Sequence, residues 1–173
     1  MRALPLVLVL VTALTTARHL QAQEPTLGTF DRAAKGVSVD RFTFYGAGAT
    51  AVTFRLSALR PNAVGTELGA SLFPEALLAG GLILAPDFGA AYNLRLGSAT
   101  LLVKAGGSAF MGLGGGFGFY PGVHAGAGLI LPVEDRAGFR LDIIRHYYQI
   151  ENSTVPIWSV GVGITALPRI SRR

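Results

Sequence analysis

The chain has 173 residues, of which 50% are hydrophobic and 14% charged, with no cysteine and a formal charge of +5. That length holds one domain with a real core, and the lack of cysteine removes disulfides, thiol catalysis, thiolate metal sites and N-terminal lipoprotein acylation. The basic residues are scattered singly, except in the tail Arg169-Ile170-Ser171-Arg172-Arg173, so the clustered stripe of a nucleic-acid reader is missing. The charged fraction lies well below the roughly 25% of a soluble domain. Yet no run outside the first residues is apolar enough for a spanning helix. Twenty-three glycines, abundant Val, Thr and aromatics, and few helix formers outside Glu75–Ala85 favour a β protein.

The N-terminus has the parts of a secretory signal. Arg2 is the positive region, Leu4–Leu14 the apolar region, and Leu20-Gln21-Ala22 the small-residue cleavage site, with Thr15-Thr16-Ala17 a second candidate. Residues 1–22 are expected to be cleaved, and the apolar run is too short for a retained anchor. Loss of Arg2 and Arg18 reduces the charge from +5 to +3. Gln23–Gly36, polar and holding Pro25, is expected to be a periplasmic lead-in.

From Val37 the pattern has a period of two. The first expected strand, Val37–Tyr45, sets Phe42 and Phe44 against Arg41, Thr43 and Tyr45. Thr50–Leu59 sets Val52, Phe54 and Leu56 against Thr53, Arg55 and Ser57, and Arg60-Pro61-Asn62 follows as a turn. Val64–Phe73 sets Val64, Leu68 and Leu72 against Gly65, Glu67, Gly69 and Ser71. Phe88–Leu96 and Ala99–Phe110 flank Gly97-Ser98, a two-residue hairpin loop. That loop pairs Leu94 with Leu101, Tyr92 with Val103 and Arg95 with Thr100, so both strands agree on the apolar face. Val123–Leu131, Phe139–His146 and Trp158–Ala166 continue the alternation, with His124, Gly126, Gly128, Arg140, Asp142, Gly161 and Gly163 opposite the apolar residues.

The connections are expected to alternate in length. Gly46–Ala49, Pro74–Asp87, Met111–Gly118 and Gln149–Pro156 are the longer ones; Arg60–Asn62, Gly97–Ser98 and Glu134–Arg136 are the short ones. That asymmetry, with strands of nine to eleven residues, matches a transmembrane barrel with short periplasmic turns. Over Val37–Leu167 the chain resembles the small OmpA/OmpX-type outer-membrane β-barrel proteins. The resemblance implies an all-β fold: a single antiparallel up-and-down transmembrane β-barrel of eight strands, or ten if Pro74–Asp87 adds two. It also implies export to a Gram-negative type outer membrane, outer-membrane lipids and the barrel-assembly machinery as partners, and a monomer. Three features depart from it. Leu167 and the basic tail 168–173 replace the usual terminal aromatic. Ala76–Ala85 is too apolar for an external loop and suits a short interfacial helix or prolonged strand ends. Asp40 and Arg145 share parity with the lipid face, tolerable only near the interfaces.

The other face gathers Arg41, Arg55, Glu67, Asn93, Arg95, Lys104, His124, Arg140, Asp142 and His146. A turn centred on Pro61 would set Arg55 opposite Glu67, and one centred on Gly48 would set Arg41 opposite Arg55. Arg140 and Asp142 would stand on the far wall, and a turn centred on Asp135 would set His124 opposite His146. An eight-stranded barrel holds only side chains or one small ligand, so an interior ion-pair network is expected, with Gly126, Gly128, Gly161 and Gly163 making room. Asp142 and His146 with Ser153 or Ser159 could suggest a lipid hydrolase, but residues four apart on a strand are roughly 13 Å apart. Two histidines lack a third metal ligand. Gly46-Ala47-Gly48-Ala49-Thr50-Ala51 imitates a dinucleotide-binding turn with Glu67 as ribose acid, but an alternating strand follows it instead of a helix. Gly112–Gly118 lacks the Lys-Ser/Thr of a phosphate loop. Phe117, Phe119, Tyr120, Tyr147, Tyr148 and Trp158 fall near one end of the late strands, as an interfacial aromatic girdle would.

The expectation is a non-enzymatic outer-membrane barrel with a packed polar interior, structural or surface-interacting, too narrow for a general porin, and using no cofactor or metal. Two alternatives are a secreted soluble lipocalin-like barrel binding an apolar ligand, and a lipid-modifying outer-membrane enzyme. A ligand carrier would put apolar residues inside and charges outside, so parity separates it from the first reading.

Overall fold

The computed structural model describes residues 33–168 except 115 and 135. The signal segment, residues 23–32 of the lead-in and residues 169–173 of the tail lie outside the described residues. Eight antiparallel strands form one closed ring in sequence order. They are β1 (Ala34–Phe44), β2 (Ala47–Ser57), β3 (Ala63–Leu72), β4 (Leu82–Leu96), β5 (Ala99–Leu113), β6 (Phe117–Glu134), β7 (Ala137–Ile150) and β8 (Ser153–Ala166). Closure through β8 and β1 leaves no edge strand in the ring. Following the rungs from Ala34 through Ser57, Glu67, Gly89, Gly106, His124, His146 and Ile157 returns to β1 level with Phe44. That is a stagger of ten residues, which tilts the strands across the barrel wall.

The alternation decides which way each side chain points, because successive residues of a strand face opposite sides. Val39, Phe54, Val64, Phe88, Val103, Val123, Ile143, Val162 and Ile164 are each more than half exposed on the outside. Asp40, Arg55, Glu67, Asp87, Lys104, Arg140 and Asp142 are buried inside. This is the inverse of a soluble ligand carrier, so the lipocalin-like alternative fails on polarity. A continuous apolar outer wall of this size is stable only against an apolar surrounding.

Several sequence expectations are corrected. β1 starts at Ala34, inside the segment expected to be lead-in. Its parity is also reversed: Asp40 and Phe42 face inward and Arg41 faces outward, exposed. The reason is the first hairpin. It turns on Tyr45 and Gly46, both at positive φ (44° and 81°), the signature of a two-residue primed turn. Phe44 therefore pairs with Ala47 and Arg41 with Thr50, where a turn centred on Gly48 would have set Arg41 against Arg55. The β2–β3 register differs by two residues from the expected one, pairing Ser57 with Glu67 and Arg55 with Gly69. The Gly97-Ser98 and His124–His146 pairings stand as expected.

The long connections also shrink. Residues 45–46 and 151–152 are tight turns and Leu113 pairs directly with Phe117, because β5 to β8 run on to 14–18 residues. The apolar segment Pro74–Asp87 does both things it was suited to. It forms a one-turn helix α1 (Pro74–Leu78) and then the first six residues of β4, so the described residues hold eight strands and no further pair. We call the end carrying α1 and the β1–β2, β5–β6 and β7–β8 turns the mouth. The end holding Ala34 and Ala166 is the base.

Each buried charge shares a rung with a glycine. Asp40 faces Gly161, Arg55 faces Gly36 and Gly69, Glu67 faces Gly89, and Asp87 faces Gly69. Lys104 faces Gly126, Arg140 faces Gly163, and Asp142 lies between Gly128 and Gly161. A Cβ on Gly161 would come within 2.3 Å of the Asp40 carboxylate. Gly161→Ala is therefore expected to destabilise the barrel by about 1–3 kcal/mol. Gly112→Ala, with nothing within 4 Å of the added carbon, should be neutral; urea unfolding of the two variants in detergent micelles checks the contrast.

Candidate functional site

The interior is built in three storeys. Nearest the base and through the middle lies the charge network, contributed by β1, β2, β3, β4, β5 and β7. Glu67 is its hub. One carboxylate oxygen accepts from Lys104 Nζ at 2.8 Å, and the other from Arg140 Nη2 and Ser57 Oγ, both at 2.6 Å. Lys104 Nζ also donates to Asp142, whose second oxygen accepts from Arg140 Nε at 2.7 Å. Arg55 fans out, with Nη2 3.1 Å from Asp40, Nη1 3.4 Å from Asp87 and 3.7 Å from Glu67, and Nε 3.5 Å from Asp142. Ser38 Oγ donates to Asp40 at 2.5 Å. Three cations thus meet four carboxylates, each partner at most 5% exposed.

Seen against the sequence-predicted set, the structure brings together Arg55, Glu67, Lys104, Arg140 and Asp142. Arg41 is outside, donating to Thr50 Oγ1 at 3.2 Å, so the Arg41–Arg55–Glu67 row does not form. Arg95 reaches the exposed base rim, where its Nε donates to the Gly97 carbonyl at 3.1 Å. Asn93 is buried but donates to the carbonyls of Ala63 and Ala91. Two members were missed. Asp40 was hidden by the reversed parity of β1, and Asp87 by its assignment to a loop, although it shares parity with Gly89 and Asn93 on β4.

Above the charges the lumen is closed by rings. Phe42, Phe73, Phe110, Tyr148 and His146 touch in a closed circuit with successive centroid distances of 5.0, 5.6, 5.7, 5.6 and 5.6 Å. Contacts in this range suit offset and edge-to-face pairing. His146 also approaches Ser159 Oγ at 3.2 Å and the Tyr148 hydroxyl at 3.3 Å, and its ring lies 5.7 Å from that of His124. The Ser159–His146 pair is thus real, but the imidazole's second nitrogen meets a phenol where a hydrolytic triad needs a carboxylate. Ser153 is exposed at the start of β8, away from this pair's strand position.

The third storey is an apolar cup at the mouth, about 300 Å³, walled by Phe44, Ile83, Ile150, Val155 and Ile157 and roofed on one side by Ala76 of α1. Tyr148 therefore belongs to the collar and not to an outer girdle; Tyr147 and Tyr148 are neighbours on a strand and must face opposite ways. Tyr120, half-buried, shares the inward parity of His124. Phe117, Phe119, Tyr147 and Trp158 are exposed. The Gly46–Ala51 segment is the turn and first residues of β2, and Gly112–Gly118 the tip of the β5–β6 hairpin, so neither forms a phosphate cradle at a helix start.

Solved structures share this architecture at low identity, among them the following three. Neisserial surface protein A superposes with a TM-score of 0.55 at 15% identity, covering 78% of this chain and 95% of that one. The N-terminal β-barrel domain of Pseudomonas aeruginosa OprF gives 0.57 at 13%, covering 77% and 96%. The outer membrane protein OprG of the same organism gives 0.57 at 10%, covering 80% and 95%. This is the fold of the small eight-stranded outer-membrane β-barrels. No family model matches the sequence, and no curated protein does. The OmpA/OmpX-type resemblance therefore holds at the level of the barrel, while the glycine-flanked charges and the ring collar are described from this chain's own residues.

Breaking one partner of a buried ion pair leaves an uncompensated charge, at a cost of about 3–5 kcal/mol. Glu67→Gln, which removes the anion shared by Lys104 and Arg140, is expected to lower the unfolding free energy by that order. The double variant Glu67→Gln, Lys104→Gln should recover part of the loss. A double-mutant cycle on urea midpoints measures the coupling.

Proposed function

We propose that the protein is exported to the outer membrane and serves there as a closed, non-catalytic barrel with a structural or surface-interaction role, and not as a porin. The observation that carries this reading is the twofold closure of the lumen. Eight strands leave an interior just wide enough for side chains. Here the charge network fills its middle, and the collar of Phe42, Phe73, Phe110, Tyr148 and His146 lies across the path above it. The ion pairs would have to part, leaving buried charges unpaired, before a solute could pass.

The apolar outer wall and the tight turns support placement in a bilayer, and the signal-like residues 1–22 support export. Against catalysis stands the position of Ser159 and His146. Both are buried beside Phe42, which stacks on the imidazole and is the cross-strand partner of Ser159, and the histidine's second contact is the Tyr148 hydroxyl.

Reconstitution in planar bilayers and in liposomes tests the closed lumen. The expected result is no stable stepwise conductance and no arabinose-driven swelling, from protein shown to be folded by its heat-dependent mobility on gels. A steady single-barrel conductance would overturn the closed reading, and recovery of the mature protein in the soluble fraction of cells would overturn the membrane one. Changed lipid chemistry in cells expressing the protein would overturn the non-catalytic one.

A further inference from the structure

One cation on the outer wall takes no part in the interior network. The outward residues of β7 run Phe139, Leu141, Ile143, Arg145 and Tyr147, and Arg145 is the direct cross-strand partner of Trp158 on β8. Val160, Val162 and Ile164 continue the apolar wall below. Arg145 is half-buried there. Its guanidinium carbon lies 4.6 Å from the centre of the Trp158 ring and 5.5 Å from that of Tyr147. Among the described residues no carboxylate lies within ion-pair distance of it, and its covered Nε has no acceptor.

The position is costly without an anion. An arginine on the lipid face costs about 2–4 kcal/mol at the bilayer midplane, falling to about 0–1 near the interface. The two rings offset part of this through cation–π attraction but leave the charge whole. Arg145 stands five residues below the end of β7 at Ile150. At about 3.3 Å rise and a tilt near 40° that is roughly 13 Å beneath the mouth, and a side chain of this length can carry its head upward toward the interface. The anion that an outward-facing group meets at that depth is the phosphate of a lipid. A planar guanidinium matches phosphate with paired hydrogen bonds, and Trp and Tyr are the residues that settle at the headgroup level.

We propose that Arg145, flanked by Trp158 and Tyr147, is a binding site for the phosphate of a membrane lipid headgroup in the leaflet nearest the mouth. The site rests on the membrane reading above. It differs from the base cations Lys35, Arg95 and Arg136, which stand at the other rim. It also differs from Arg41, whose guanidinium already donates to Thr50.

The test uses the full chain folded in neutral detergent and native mass spectrometry with added phosphatidylglycerol, diacylglycerol or inorganic phosphate. Heat-dependent gel mobility of the same sample reports barrel folding first, so a failed membrane reading shows there and a failed lipid site shows only in the adducts. Arg145→Gln removes a charge from the lipid face and is expected to fold at least as well as the parent. Its phosphatidylglycerol retention is expected to fall about tenfold, the loss of one charge-assisted bond, while Arg136→Gln retains the lipid unchanged. Equal retention by Arg145→Gln, or an equal loss in Arg136→Gln, would overturn the site. So would diacylglycerol retention matching that of phosphatidylglycerol, because phosphate would then not be what is recognised. Displacement of the lipid by inorganic phosphate would overturn the headgroup assignment in favour of a free-anion site.

Discussion

The space inside eight strands is the constraint on which the rest of the structure depends. A barrel this narrow has room for about one layer of side chains, and this chain asks it to hold three long cations and four carboxylates. The solution is visible rung by rung. Wherever one of these seven charged side chains enters the lumen, at least one of the two residues across the ladder is a glycine. The missing Cβ lets the long chain lie across the neighbouring strand and reach its counter-ion. At Gly128 and Gly161 the carboxylates of Asp142 and Asp40 occupy almost the place a Cβ would take. The weak strand propensity of glycine is offset here by closure, since every strand is paired on both sides.

Filling the lumen with ions instead of aliphatic groups is not the cheapest route to stability. Removing charges from water costs several kcal/mol each, and well-packed apolar replacements of buried ion pairs are often neutral or better. What the network adds is mutual dependence. Glu67 is satisfied only if Lys104 on β5 and Arg140 on β7 are both in place, and Asp142 binds the same two cations from the other side. A wall assembled from strands far apart in sequence is thereby tied across its middle. The collar does the same work nearer the mouth with rings from β1, β5, β7 and the residue before α1. It also marks a change of polarity, with charges beneath it and the apolar cup above.

Much of this was legible in the sequence. Alternation revealed the faces of β2 to β8, because a lipid-facing wall and a charged lumen give opposite residues to odd and even positions. Gly97-Ser98 and the His124–His146 rung set two registers correctly. What failed did so for physical reasons. Apolar-out is a rule for the membrane belt, and near the mouth Phe42, Phe44, Phe73, Phe110, Ile150 and Ile157 line the inside instead. Phe42 and Phe44 therefore argued for the wrong face of β1 and took Asp40 with them, and Tyr45-Gly46 does not announce a hairpin as Asn-Gly would. Loop lengths were overestimated because backbone pairing continues after side-chain alternation fades. The interior network was foreseeable as a class, whereas the closed circuit of rings depends on Phe73 and Tyr148 reaching across strands and has no sequence spacing of its own.

The glycine opposite each charge also has a consequence for how the barrel finds its alignment. Sliding one strand past its neighbour by a single residue turns greasy side chains inward, and the alternation forbids it. Sliding by two keeps every face correct, so the hydrophobic pattern cannot detect that error. The glycines can. A two-residue slip between β2 and β3 would set Arg55 against Glu67 on one rung and leave Gly69 opposite Thr53, crowding one place and emptying another. Hydrophobic alternation and glycine placement thus act as two independent checks, one sensitive to odd errors and the other to even ones. Together they specify a single closed alignment for a chain with no cysteine to lock it.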